Sequence, residues 1–236
     1  MSNRMLKNAT LLLLLFVLTL TGCHNVLMTG AMIFRGREQQ PKYDILLKGE
    51  KTVAVVPRAV SSNAFELQNA PQEIARQVHY LLEENILNTV RPNHRNKKLT
   101  LVEQAKVEKW LDNCNNNFDS FAEVGRDRSI KADIVVGFTI VGFQIRDPRD
   151  PYMVQGKCHV EVEAVDAATG KVLASETLII VYPPSSPMHA ANPALEPRLR
   201  REFVGVIAQH IAALFHWHIP HELQGIDADS INLHRL

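Results

Sequence analysis

The stretch 133-DIVVGFTIVGFQI-145 constrains the fold more than any other part of the chain. It is apolar at odd and even positions alike. Successive side chains of a strand point to opposite faces, so a strand of this composition is buried on both sides and central in its sheet. Gly137 and Gly142 break the run, and glycine inside a strand marks a close backbone approach or a bend.

The remaining segments supply the sheet's neighbours and its cover. Residues 52–57, TVAVVP, form a second continuous apolar run, β-branched and ended by proline, and read as a buried strand. A helix follows near 71–90. Pro71 suits its first turn, and Ile74, Val78, Leu81, Leu82 and Ile86 recur at three and four to give one apolar stripe. The basic run 91-RPNHRNKK-98 reads as a loop, and 99-LTLV-102 as a short strand. The helix expected over 103–113 places Val107, Trp110, Leu111 and Cys114 on one face. Ser120 and Glu123 form a capping box that starts another short helix.

After the central strand, 146-RDPRDPYMVQ-155 reads as a link. Asp147 and Asp150 stand beside Pro148 and Pro151 and read as turn residues rather than a catalytic carboxylate pair. Residues 158–165, CHVEVEAV, alternate as a half-buried strand does. Gly170 in 166-DAATGK-171 closes a hairpin in the left-handed conformation, and 172–182 returns as a strand. A proline-rich loop, 183–197, leads to a final helix over 199–215. The predicted order is β-α-β-α-α-β-β-β-α. It gives an α/β (α+β) fold, a mixed five-stranded sheet with helices packed on it.

The start of the chain concerns location. Arg4 and Lys7 precede 11-LLLLLFVLTL-20, which is too short to span a bilayer comfortably and has the form of a secretory signal. Leu20-Thr21-Gly22-Cys23 resembles the lipobox of bacterial lipoproteins. The resemblance implies cleavage before Cys23 and acylation of its thiol by fatty chains such as palmitate. It divides the chain into a signal peptide (1–22), a lipid anchor and stalk (23–50), a single periplasmic domain (51–218) and a loose C-terminal tail (219–236). His24, where inner-membrane lipoproteins often carry Asp, points to the outer membrane with the body facing the periplasm. Without 1–22 the chain has 24 basic against 25 acidic residues. Such a balance, with secretion, argues against nucleic acid as a partner.

Cys114 and Cys158 both fall on apolar faces. An oxidising compartment permits a disulfide between them, and two buried thiols are the alternative. The histidine-rich segment 210-HIAALFHWHIPHE-222 offers His216, His218 and His221 as weak metal ligands beside Glu222, but no HExxH motif is present. His210 lies on the apolar helix face and reads as a core histidine. The series Asn113 to Asp119 fails as a calcium loop, because Phe118 and Val124 stand where Gly and Glu are required. No nucleotide-binding or hydrolase motif occurs, so no cofactor and no enzymatic activity is expected.

The phrases VAVVP, V-x-x-x-x-V-x-x-W-L, GRDRSIKADIVVGFTI and VEVEAVDAATGKVLASE, with the closing helix, resemble one group of bacterial envelope proteins across roughly residues 51–215. The group comprises the curli-secretion lipoprotein, the lipoprotein activators of penicillin-binding proteins and the N-terminal domain of the Tol-Pal translocation protein, with uncharacterised lipoproteins of the same layout. The resemblance implies a non-enzymatic module that binds another envelope protein or assembles as a homo-oligomer. The alternatives are a metal-binding or enzymatic protein using the C-terminal histidines, and a secretion-channel subunit. Against the channel, the chain lacks long alternating hairpins of barrel-forming length.

Overall fold

The computed structural model describes residues 38–60, 69–147, 150–184, 188–189 and 195–219. The signal segment, Cys23, His24, the stalk through residue 37, His221, Glu222 and the tail from 220 lie outside these residues.

The sheet grows outward from the segment that the sequence marked as central. Strand β3 (Ile134–Asp147) lies between β1 (Lys51–Ala59), parallel to it, and β4 (Asp150–Asp166), antiparallel to it. Strand β2 (Leu99–Leu101) pairs parallel with β1, and β5 (Val172–Tyr182) pairs antiparallel with β4. The order is β2-β1-β3-β4-β5, the mixed five-stranded sheet expected, with a two-residue strand β6 (Met188–His189) added beside β4. Four helices complete it: α1 (Ala70–Leu82), α2 (Gln104–Asn113), α3 (Phe121–Arg126) and α4 (Leu195–Ala213).

Each face of β3 feeds its own core, as its two-sided apolar composition requires. One face sends Val136, Phe138 and Ile140 under α1 and α4, where they meet Val53, Val55, Val160 and Phe203. The other sends Val135 towards α2 and α3, where it joins Ala54, Val56, Leu111, Phe121 and Val165. Gly137 provides the close approach: a Cβ there would stand 2.5 Å from the Phe121 ring. Gly142 marks the bend, because the β3–β4 register shifts between Ile140 and Gly142. Arg58, at the end of β1, lies over the Phe118 and Phe121 rings at 4.2 and 4.7 Å and donates to Phe118 O at 3.0 Å.

Several boundaries differ from the sequence reading for local reasons. The helix expected to 90 leaves α geometry at Leu82, continuing as a wider turn over Glu83–Leu87. Strand β4 begins at Asp150, where a turn was expected, so Asp147 pairs with Asp150 across a two-residue link. Helix α4 begins at Leu195 and takes Pro197 into its first turn, where a missing N–H costs nothing. The hairpin after β4 follows expectation: Gly170 has φ +73°, and Asp166 accepts from Thr169 N at 2.8 Å. Ser120 Oγ accepts from Glu123 N at 3.3 Å, and Glu123 accepts in return from Asp119 N at 3.1 Å.

The disulfide left open by the sequence is not formed. Cys158 is buried among the residues under α1 and α4, and Cys114 packs against the cluster on the opposite face. The sheet stands between the two thiols, and a disulfide needs Cα atoms within about 7 Å.

Candidate functional site

Three segments that look unrelated in sequence meet at one end of the body: residues 39–50, the loop 91–98 and the chain after α4. Gln39 and His218 pair as antiparallel backbone, with Gln39 N to His218 O at 2.8 Å and His218 N to Gln39 O at 3.2 Å. Tyr43 N donates to Leu214 O at 2.9 Å, and its hydroxyl donates to Ser175 O on β5 at 2.7 Å. Lys42 pairs with Glu176. A short 3₁₀ turn, Asp44–Leu46, then places Leu46 fully inside the core. Residues 39–47 therefore lie on the body.

Asn96 locks the loop to that segment. It is a buried polar residue in an otherwise solvated basic run. Its Nδ2 donates to Leu46 O at 2.9 Å and to Gly49 O at 3.0 Å, while its Oδ1 accepts from Lys98 N at 3.1 Å. Its own N–H donates to Ile86 O at 3.0 Å, and Arg95 Nε donates to Leu87 O at 2.8 Å. The loop thus satisfies carbonyls at the end of the α1 extension. His94 stacks on Trp217 with centroids 4.5 Å apart and planes 9° from parallel. A groove of about 500 Å³ lies here, lined by Tyr43, Ile45, Leu47, Asn93 and Trp217 among others.

His216 and His218 are brought to this end but serve the backbone. His216 is buried, and its Nδ1–H donates to Trp217 O at 2.6 Å. Burial pushes its pKa down to about 4. His218 Nδ1–H donates to His216 O at 3.3 Å, and the two rings stand 6.3 Å apart, nearly perpendicular. His210 is buried on α4. Among the described residues no group of three His, Cys, Asp or Glu side chains is placed to hold a metal ion. What this end offers is stacked rings, backbone carbonyls and exposed cations.

A second surface lies on the sheet itself. Helices α1 and α4 roof one face of β3, β4 and β5. On the other face α3 reaches only the start of β3, near Gly137. Beyond it Val141 and Ile179 are each 38 % exposed, and Glu161 and Thr177 are exposed as well. Register aligns them in rows across the strands: Gly142 opposite His159 opposite Ile179, then Thr139 opposite Glu161 opposite Thr177. Strand β5 ends the sheet path, so no strand among the described residues pairs with its outer edge. Half-roofed sheets are legible only in three dimensions, since α3's length and position decide where the roof stops.

Comparisons with known proteins complete the description. No family model matches the chain, and no curated protein matches it. Among solved structures it is similar to the lipoprotein GNA1162 from Neisseria meningitidis, at 16% identity over 67% of this chain and 98% of that one, with a TM-score of 0.41. It is similar also to the PelC dodecamer from Paraburkholderia phytofirmans, at 14% identity over 77% and 98% of the two chains, TM-score 0.40. A third is a putative lipoprotein from Caulobacter crescentus, at 8% identity over 68% and 81%, TM-score 0.33. These neighbours include bacterial lipoproteins; at such scores the likenesses fix neither a family nor a task for this chain.

Proposed function

We propose that this chain is a lipid-anchored protein of the bacterial cell envelope whose folded body is a non-catalytic interaction module. Acylation at Cys23 holds it to the membrane, and His24 favours the outer membrane with the body in the periplasm. The partner is another envelope protein, and a second copy of the chain is the alternative occupant. The observation that carries the reading is the half of the sheet that no helix among the described residues covers: Gly142, His159 and Ile179 in one row, Val141 in the bulge beside it, and β5, whose outer edge pairs with no strand among those residues. An unpaired strand edge is a template for pairing, and exposed apolar side chains beside it supply the buried centre of an interface.

The test is site-specific photo-crosslinking in whole cells, with the probe at Ile179 in one strain and at Tyr80 on α1, also exposed, in another. Mass spectrometry of the products should show one envelope protein, or the chain itself, captured from Ile179 and not from Tyr80. Capture from Tyr80 alone would refute the surface. A native protein that retains Met1 and lacks a fatty chain on Cys23 would refute the anchor.

A further inference from the structure

The anchored reading leaves one feature unused: the cations of the loop 91–98. No acid occurs between Glu84 and Glu103, whereas Arg91, Arg95, Lys97 and Lys98 all fall in that interval. All four are exposed. Val90, at the head of the loop, is 93 % exposed, the most exposed of the large apolar side chains among the described residues. Of the acids on neighbouring segments, Asp44 pairs with Lys48, Glu84 accepts from Asn88, and Glu50 is exposed.

The loop is not a free strap. Asn96 fastens it to Leu46 and Gly49, Arg95 fastens it to Leu87, and His94 is stacked on Trp217. Cations held by a fixed loop lose little freedom when they meet an anionic surface. The position is equally specific. The chain arriving from Cys23 meets the body at Gln39, bridged to His218, one residue from the Trp217 that carries the loop. Fifteen residues, 24–38, separate Cys23 from that bridge. Fully extended they reach roughly 55 Å, and they join the body at the end that bears the loop.

We infer that residues 90–98 form a docking surface for the anionic phospholipid headgroups of the leaflet that holds the anchor. Val90 sits at the headgroup boundary, and the four cations meet phosphate around it. Each such cation strengthens association with an anionic leaflet about fivefold, and salt screens the attraction. The consequence is orientation: the docked body is held by this end rather than tumbling on its stalk. The inference builds on the anchor reading, and the two fail separately in one experiment.

The mature chain is inserted by its own anchor into vesicles of phosphatidylcholine, or of phosphatidylcholine and phosphatidylglycerol in equal parts. Hydrogen exchange is followed in the peptide covering 88–98. Exchange should be at least about fivefold slower on the anionic vesicles, and high salt should remove the difference. Lys97→Gln with Lys98→Gln should remove most of the slowing while exchange in α1 stays unchanged, which shows that the fold survives. Equal rates on both vesicles, or full slowing in the double variant, would overturn the inference. So would slowing by a soluble acidic polypeptide without slowing by anionic vesicles. Failure to attach to neutral vesicles overturns the anchor instead, and the anionic comparison of the two chains still decides the docking surface.

Discussion

Replacing Asn96 by alanine separates a fastened loop from a merely basic one. The side chain makes three hydrogen bonds with backbone groups: two donated, to Leu46 O and Gly49 O, and one accepted from Lys98 N. Gly49 and Lys98 are exposed, so water can replace Asn96 at both. Leu46 is fully buried, and its carbonyl faces the cost of an unmet acceptor, about 1–3 kcal/mol. Adding a few tenths for each exposed bond gives about 2–3 kcal/mol for Asn96→Ala. In a body of this size that lowers the unfolding midpoint by roughly 4–10 °C. Asn96→Asp should cost more, because a carboxylate cannot donate and would face two carbonyl oxygens. Thermal unfolding by circular dichroism measures both, with Asn93→Ala, exposed on the same loop, as the control within about 0.5 kcal/mol. Hydrogen exchange locates the damage, which should centre on residues 44–50. If Asn96→Ala matches the control, or if Asn96→Asp is as stable as the parent, the loop is not held in this way.

Gly137→Ala should destabilise by about 3 kcal/mol, since the new methyl would stand 2.5 Å from the Phe121 ring; denaturant unfolding checks it, and Phe121→Leu should recover part of the loss. His216 makes stability depend on pH. Its ring takes a proton near pH 6.5 when unfolded but only near 4 when folded. Between those values the unfolded chain binds more protons, so stability falls by up to about 3 kcal/mol as pH drops through that window and is flat above it. Urea titrations at pH 7 and pH 5 should show the slope, and His216→Phe should flatten it. Cys158, buried and with its thiol pushed up to about 12, should resist alkylation until the chain unfolds, whereas the half-buried Cys114 reacts first. A band that shifts on reduction, from a Cys114–Cys158 bridge, would contradict the placement of the thiols.

The central strands were legible because their segments carry their burial in their composition. A run apolar on both alternating faces has one solution, and 52–57 and the first half of 133–145 took it; from Thr139 on, one face of the expected fully covered strand lies beyond α3, and Val141 is exposed. The turn at Gly170 and the cap at Ser120 were legible for a similar reason, since each is a local motif satisfied within four residues. What stayed hidden depends on partners distant in sequence. Asn96 reads as one more polar residue of a basic loop, because its partners lie 47 and 50 positions away. Ile45-Leu46-Leu47 carries little periodicity; its apolar character points to docking on the domain, but nothing local announces that Leu46 is buried whole. The cysteines show a subtler limit. Periodicity places both on apolar faces, but which side of the sheet each face meets is set by how the helices cross over it. The same holds for the half of the sheet that no helix among the described residues covers: CHVEVEAV announces a polar side at Glu161 and Glu163, while the row of Gly142, His159 and Ile179 arises only when three strands align.

The bridge between Gln39 and His218 has a mechanical consequence. It gives the body a single handle, with both ends of the described fold gathered at one point. A load arriving at residue 38 meets this bridge before the five-stranded sheet. Its two hydrogen bonds join one residue pair and part together, and the ion pair of Lys42 with Glu176 is the next hold before any strand. The module could then be drawn away from its support while its core, and whatever it grips, stayed whole.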